Sequence, residues 1–110
     1  MNTLFCYQYR DGENYKNFAD VIIEGHFALD KIENFLHESQ FFIPSEVGLD
    51  DLQEMPFKAY DHIWHEIISI SFTPQLPTCK IKAREFISNF KKANLNDWNQ
   101  YEVFKRKGLI

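Results

Sequence analysis

The sequence predicts an α+β fold: a small antiparallel sheet of three or more strands, covered on one side by two to three helices. Three observations predict it. Residues 4–10 and 18–24 are apolar, β-prone stretches on either side of a polar turn. Residues 67–73 alternate apolar and hydroxyl side chains, the period of a half-buried strand. Residues 78–93 repeat apolar side chains at helical spacing.

In the first strand, Phe5, Tyr7 and Tyr9 fall on one face and Leu4, Cys6, Gln8 and Arg10 on the other. The second holds Val21, Ile22 and Ile23 in a row, which predicts burial on both faces. Asp11 and Gly12 mark the turn between them, since Gly accepts positive φ and Asp bonds its own backbone. The intervening loop carries Asp11, Glu13, Asn14, Tyr15 and Lys16, so it is either well solvated or put to use.

Residues 28–38 place Ala28, Leu29, Ile32, Phe35 and Leu36 at helical spacing, with Asp30 and Glu33 as a capping box and His37 on the outer face. A helix is expected there, packed across the sheet and ending near Gln40. Residues 41–60 have no sustained period. Pro44 blocks a continuing helix, Gly48 permits a turn, and Asp50, Asp51 and Leu52 suit a short helical turn. The many apolar residues of this connection, among them Phe57 after Pro56, predict that it packs down. Residues 62–66 read either as an extended lead-in to the third strand or as one helical turn. Thr78 is the expected N-cap of the helix over 78–93, whose buried stripe is Ala83, Phe86, Ile87 and Phe90. A last helix over 96–107 has Asn96 as cap and Trp98, Tyr101 and Phe104 facing inward; a strand over 101–105 is the alternative.

Length and composition bound the class. A chain of 110 residues is expected to form one domain over 1–110, and 11 Phe, 5 Tyr and 2 Trp are too many aromatics for a disordered chain. No apolar run approaches the roughly 18 residues of a membrane-spanning helix, and the first residues lack a signal-peptide pattern. Cys6 and Cys79 are far apart with no ligand spacing, as expected of reduced thiols in a cytoplasmic protein. The net charge of −4 conceals a division. Residues 1–72 hold 13 acidic and 4 basic side chains, and residues 73–110 hold 3 and 8. Three explanations arise: faces that attract one another within the fold, a basic surface for an anionic partner, or a head-to-tail contact between copies. The acidic remainder would repel a polyanion, so nucleic acid is not the expected partner.

His62, His65 and Glu66 form a donor set suited to a catalytic metal, but only on a helix. A strand sets His65 apart from the other two, so no metal is expected. His65 alone could act as general acid or base, with Glu66 beside it, and Arg10, Tyr15 or Lys16 could hold a phosphodiester, the inventory of a small metal-independent RNase. The four glycines are scattered and build no phosphate loop, and no cofactor is expected.

The segments YRDGENYKNF, FIPSEVGLDDLQ and DHIWHE resemble a family of small uncharacterised bacterial proteins with a YRDxxNYK-like N-terminal segment. That resemblance implies no activity. It directs attention to the polar positions Arg10, Asp11, Asn14, Tyr15, Lys16, His65 and Glu66. The functional expectation is a non-catalytic protein-binding or regulatory module of a bacterial cytosol, contacting a protein partner or forming a homo-oligomer. The alternative is the RNase-like hydrolase using His65.

Overall fold

The computed structural model describes residues 1–53 and 61–110. Four antiparallel strands form one sheet: β1 (Asn2–Arg10), β2 (Lys16–Ile23), β3 (Phe41–Phe42) and β4 (His65–Thr73), in the order β2-β1-β4-β3. Helix α1 (Pro44–Val47) follows β3, and α2 (Ala83–Leu95) and α3 (Gln100–Arg106) follow β4. The α+β class, the β1–β2 hairpin and the third long strand are as the sequence predicts.

β1 is the central strand because it can satisfy both neighbours: Thr3 pairs with Ile23 on one side and Phe72 on the other. Its odd-numbered face is the floor of the core, with Phe5, Tyr7 and Tyr9 all buried. α2 lies against that floor through Ala83, Phe86, Phe90 and Ala93. The contacts are largely aromatic edges on faces: Phe5 to Phe86 at 5.1 Å, Phe86 to Phe90 at 5.1 Å, and Phe90 to Trp98 at 5.5 Å between ring centroids. Such pairs add about 0.5–1.5 kcal/mol each beyond the area they bury.

Several elements depart from the sequence reading. The 28–38 stretch is no α-helix but two short 3-10 turns, Leu29–Lys31 and Glu33–Phe35, and no side-chain cap forms. Eleven residues are too few for a helix to hold without a buried face, and α2 already occupies the core side of the sheet. Ile32 alone plunges into the core, and left-handed Glu38 and Ser39 turn the chain into β3. Pro44 opens α1 rather than ending a helix, and Gly48, at φ 99°, closes it. The helical turn expected at Asp50 is absent; residues 50–53 are extended or irregular.

Thr78 does not cap α2, which starts at Ala83. Its N–H donates to the Ile22 carbonyl and its Oγ1 accepts from the Ile22 N–H, both at 2.9 Å, so it continues the edge of β2. In the last helix Trp98 and Val103 are buried while Tyr101 is 65 % exposed. The shift arises because Asp97, Trp98 and Asn99 all take positive φ, a left-handed turn that resets the helical phase. The strand alternation also breaks. Cys6 pairs with Ser69 but Tyr7 with Ile67, so Ile68 is the extra residue of a β-bulge and is half-exposed. The expectation for Pro56 and Phe57 falls outside the described residues.

The charge division is joined across the fold. Lys82 meets Glu24 at 3.3 Å, Arg106 meets Glu46 at 3.6 Å, and Lys107 meets Asp51 at 2.7 Å. Each pair takes its cation from the basic part and its carboxylate from the acidic part. Among the described residues no helix is long and apolar enough to cross a membrane.

Candidate functional site

The sequence-derived polar residues separate into three groups. His65 belongs to the core. It is fully buried, on the floor beside Tyr7, Tyr9 and Phe42. Its Nε2 accepts the Leu52 N–H at 2.8 Å, and its Nδ1 is 3.2 Å from the Ile63 carbonyl, to which it donates in the matching tautomer. Burial drives its pKa down to about 4, with the negative charge of Asp51 opposing that shift. The imidazole is therefore neutral and bonded at both nitrogens.

The second group builds the hairpin turn. Asp11 Oδ1 accepts the N–H groups of Glu13 and Tyr15, each at 2.9 Å, and its own N–H donates to the Tyr15 carbonyl. Asn14 takes positive φ, as Asn does most readily among non-glycines. Tyr15 and Lys16 are exposed beyond the turn.

The third group lines a cleft of about 420 Å³ at the end of the sheet, formed by Arg10, Asp11, Gly12, Gln40, Phe41, His62, Trp64 and Glu66. Each wall has a local cause. Glu66 follows His65 on β4 and so points to the opposite face. There its Oε1 lies 3.6 Å from the Arg10 guanidinium and 3.4 Å from Gln8 Nε2. His62 ties the end of β1 in place: its Nε2 donates to the Arg10 carbonyl at 2.8 Å, and its Nδ1 accepts the Trp64 N–H at 3.0 Å. Tyr9 Oη reinforces this, donating to the His62 carbonyl and accepting the His62 N–H. Trp64 lies flat on His37, with ring centroids 4.0 Å apart and planes within 2°. Trp98 meets Trp64 edge-on from the core side.

The cleft thus combines an aromatic wall that is braced from behind with one half-exposed ion pair. The structure brings together Arg10, Asp11 and Glu66, and leaves His65, Asn14, Tyr15 and Lys16 outside. It adds Gln40, Phe41, His62 and Trp64. His62 and Trp64 were within reach of sequence reasoning, being alternate residues of an extended lead-in. His37 was not, because its position behind Trp64 depends on the 28–38 stretch forming turns instead of a helix. Among the described residues no group of three His, Cys, Asp or Glu side chains is placed to hold a metal ion. No family model, curated protein or solved structure matches the chain.

Proposed function

We propose that the protein is a non-catalytic protein-binding module and that the cleft between Arg10 and Trp64 is its contact site. The observation that carries this reading is the Arg10–Glu66 pair beside the Trp64–His37 stack. Aromatic and arginine side chains supply most binding energy at protein contacts. A rigid indole beside one exposed guanidinium and one carboxylate offers a partner segment an apolar seat and two charges to exchange. The acidic 1–72 part opposes a polyanionic partner. Burial raises the pKa of Cys6 and of Cys79, which keeps both free thiols protonated and unreactive. The bacterial setting rests on the resemblance of the YRDGENYKNF segment. The competing hydrolase reading needs His65 beside Arg10 and Lys16, and its ring faces the other side of the sheet.

The test is comparative capture from a bacterial lysate. Immobilised wild-type protein and Tyr101→Ala, altered on the exposed face of α3, should retain the same partner. Arg10→Glu should weaken retention roughly tenfold or more, the scale expected when one rim charge is reversed. A partner held equally by wild type and Arg10→Glu places the contact elsewhere on the molecule.

A further inference from the structure

β3 covers the outer edge of β4 only at His65 and Glu66. From Ile67 to Thr73, no strand among the described residues lies beside that edge. The seven residues are Ile-Ile-Ser-Ile-Ser-Phe-Thr, with no charge and no proline. Exposed edges are ordinarily guarded by lysine, proline or brevity, because their free N–H and C=O groups template another strand. This edge has only its bulge at Ile68. It also displays two large apolar side chains, Ile68 at 49 % and Phe72 at 55 % exposure. A groove of about 510 Å³ runs beside it, walled by Leu29 and Leu36 opposite residues 66–70.

We infer that β4 pairs with β4 of a second copy, antiparallel about a two-fold axis at Ile70, to form one eight-stranded sheet. The register follows from the ends of the free edge. A centre at Ile70 maps 67–73 onto itself, so each copy fills the stretch that the other leaves open. It sets Pro74 of one copy opposite Glu66 of the other, where β3 begins. A centre nearer Glu66 would drive the second strand into β3; one nearer Pro74 would leave edge uncovered. Across the axis Ser69 meets Ser71 and Ile68 meets Phe72, so the exposed Phe72 enters the groove beside Leu29 and Leu36. No like charges oppose each other, and cross-strand apolar and hydroxyl pairs are favourable. The contact is isologous, so it closes at two copies. Gln40 and Glu66 line both this groove and the Arg10 cleft, so the two sites adjoin, and Ser69, which lines only the groove, is the position that tests the seam by itself.

Sedimentation of the full chain over a wide concentration range tests this. Wild type should run as a dimer that dissociates on dilution. Ser69→Lys, at an exposed position, should raise the dissociation constant about tenfold or more, since it brings an unpaired ammonium to the seam. Adding Ser71→Glu to Ser69→Lys should restore the dimer, because this register alone sets each new ammonium across from a new carboxylate. Circular dichroism verifies the fold of each variant. Amide exchange on unmutated protein supplies an independent reading: the 68–72 amides should slow as concentration rises. A concentration-independent monomer, a dimer indifferent to Ser69→Lys, or exchange at 68–72 that ignores concentration each overturns the pairing. A monomer whose edge takes a different protein would do so as well.

Discussion

His65 shows how far one residue's role depends on surroundings that sequence does not display. As a letter it is the best acid–base candidate in the chain; in the fold it is a structural imidazole that satisfies the Leu52 N–H from inside the core. Its folded pKa of about 4 lies below the ordinary 6.5, so the unfolded chain binds more protons between those values. The stabilisation is complete above about pH 6.5 and is lost as pH falls through about 4. The shift corresponds to about 3 kcal/mol, an order-of-magnitude figure. Asp51 acts in the same direction at lower pH. Burial alone would raise its carboxyl, but the hydrogen bonds from Lys107 and from Ser45 pull it below its usual range. Chemical denaturation at steps from pH 7 to pH 4 should show stability falling steeply, and His65→Gln should flatten the fall between pH 6.5 and pH 4 while lowering stability at pH 7. An unchanged slope in the variant would assign the acid sensitivity to other groups.

At the scale of elements, turns decide more than propensities. α1 is one turn long and ends because Gly48 adopts φ 99°, where any other residue is strained. A methyl group at that position would also meet Ile81 Cδ1 at 2.6 Å. Gly48→Ala should therefore cost about 1–3 kcal/mol in thermal or denaturant unfolding, while Gly108→Ala, whose added methyl meets nothing within 4 Å, should cost less. Gly108, at φ 75°, shares the backbone strain, so a smaller loss at Gly48 than at Gly108 would show that the Ile81 contact does not matter. The same contrast explains what was legible. β1, β2, β4 and the apolar stripe of α2 could be read because their periodicity coincides with burial. The 28–38 stretch carries a helical period yet turns twice, because tertiary space was already taken by α2. The bulge at Ile68 and the left-handed 97–99 turn each shift a pattern by part of a period; Asp97 and Asn99 tolerate positive φ, but Trp98 between them is an improbable letter for φ 61°. The Arg10, Asp11 and Glu66 part of the cleft was legible as a set of polar letters. Its aromatic half was not, since it needs His37 and Trp64 from separate segments to meet.

At the scale of the molecule, the uneven charge resolves into bridges within one fold. Lys107 and Asp51 are nearly excluded from water, whereas Lys82–Glu24 is largely exposed and contributes about 0–1 kcal/mol. Association through β4 involves no charge, so raising salt from low to physiological levels should leave the sedimentation of the dimer unchanged or favour it. A dimer that falls apart with added salt would instead indicate contact between the acidic and basic faces.

The central position of β1 has a consequence for how the protein is made. Of the four strands of the sheet β1 is synthesised before the others, and β2 follows within a few residues to cover one edge. Its other edge waits for β4, whose pairing begins at His65. At ribosomal speeds of about 5–20 residues per second, that edge stands open for roughly 3–11 seconds after Arg10 is added. During that interval the nascent hairpin presents Phe5, Tyr7 and Tyr9 with neither α2 to cover them nor a strand to complete the sheet. The strand that organises the finished molecule is thus the one in greatest need of a chaperone while the rest is still being translated.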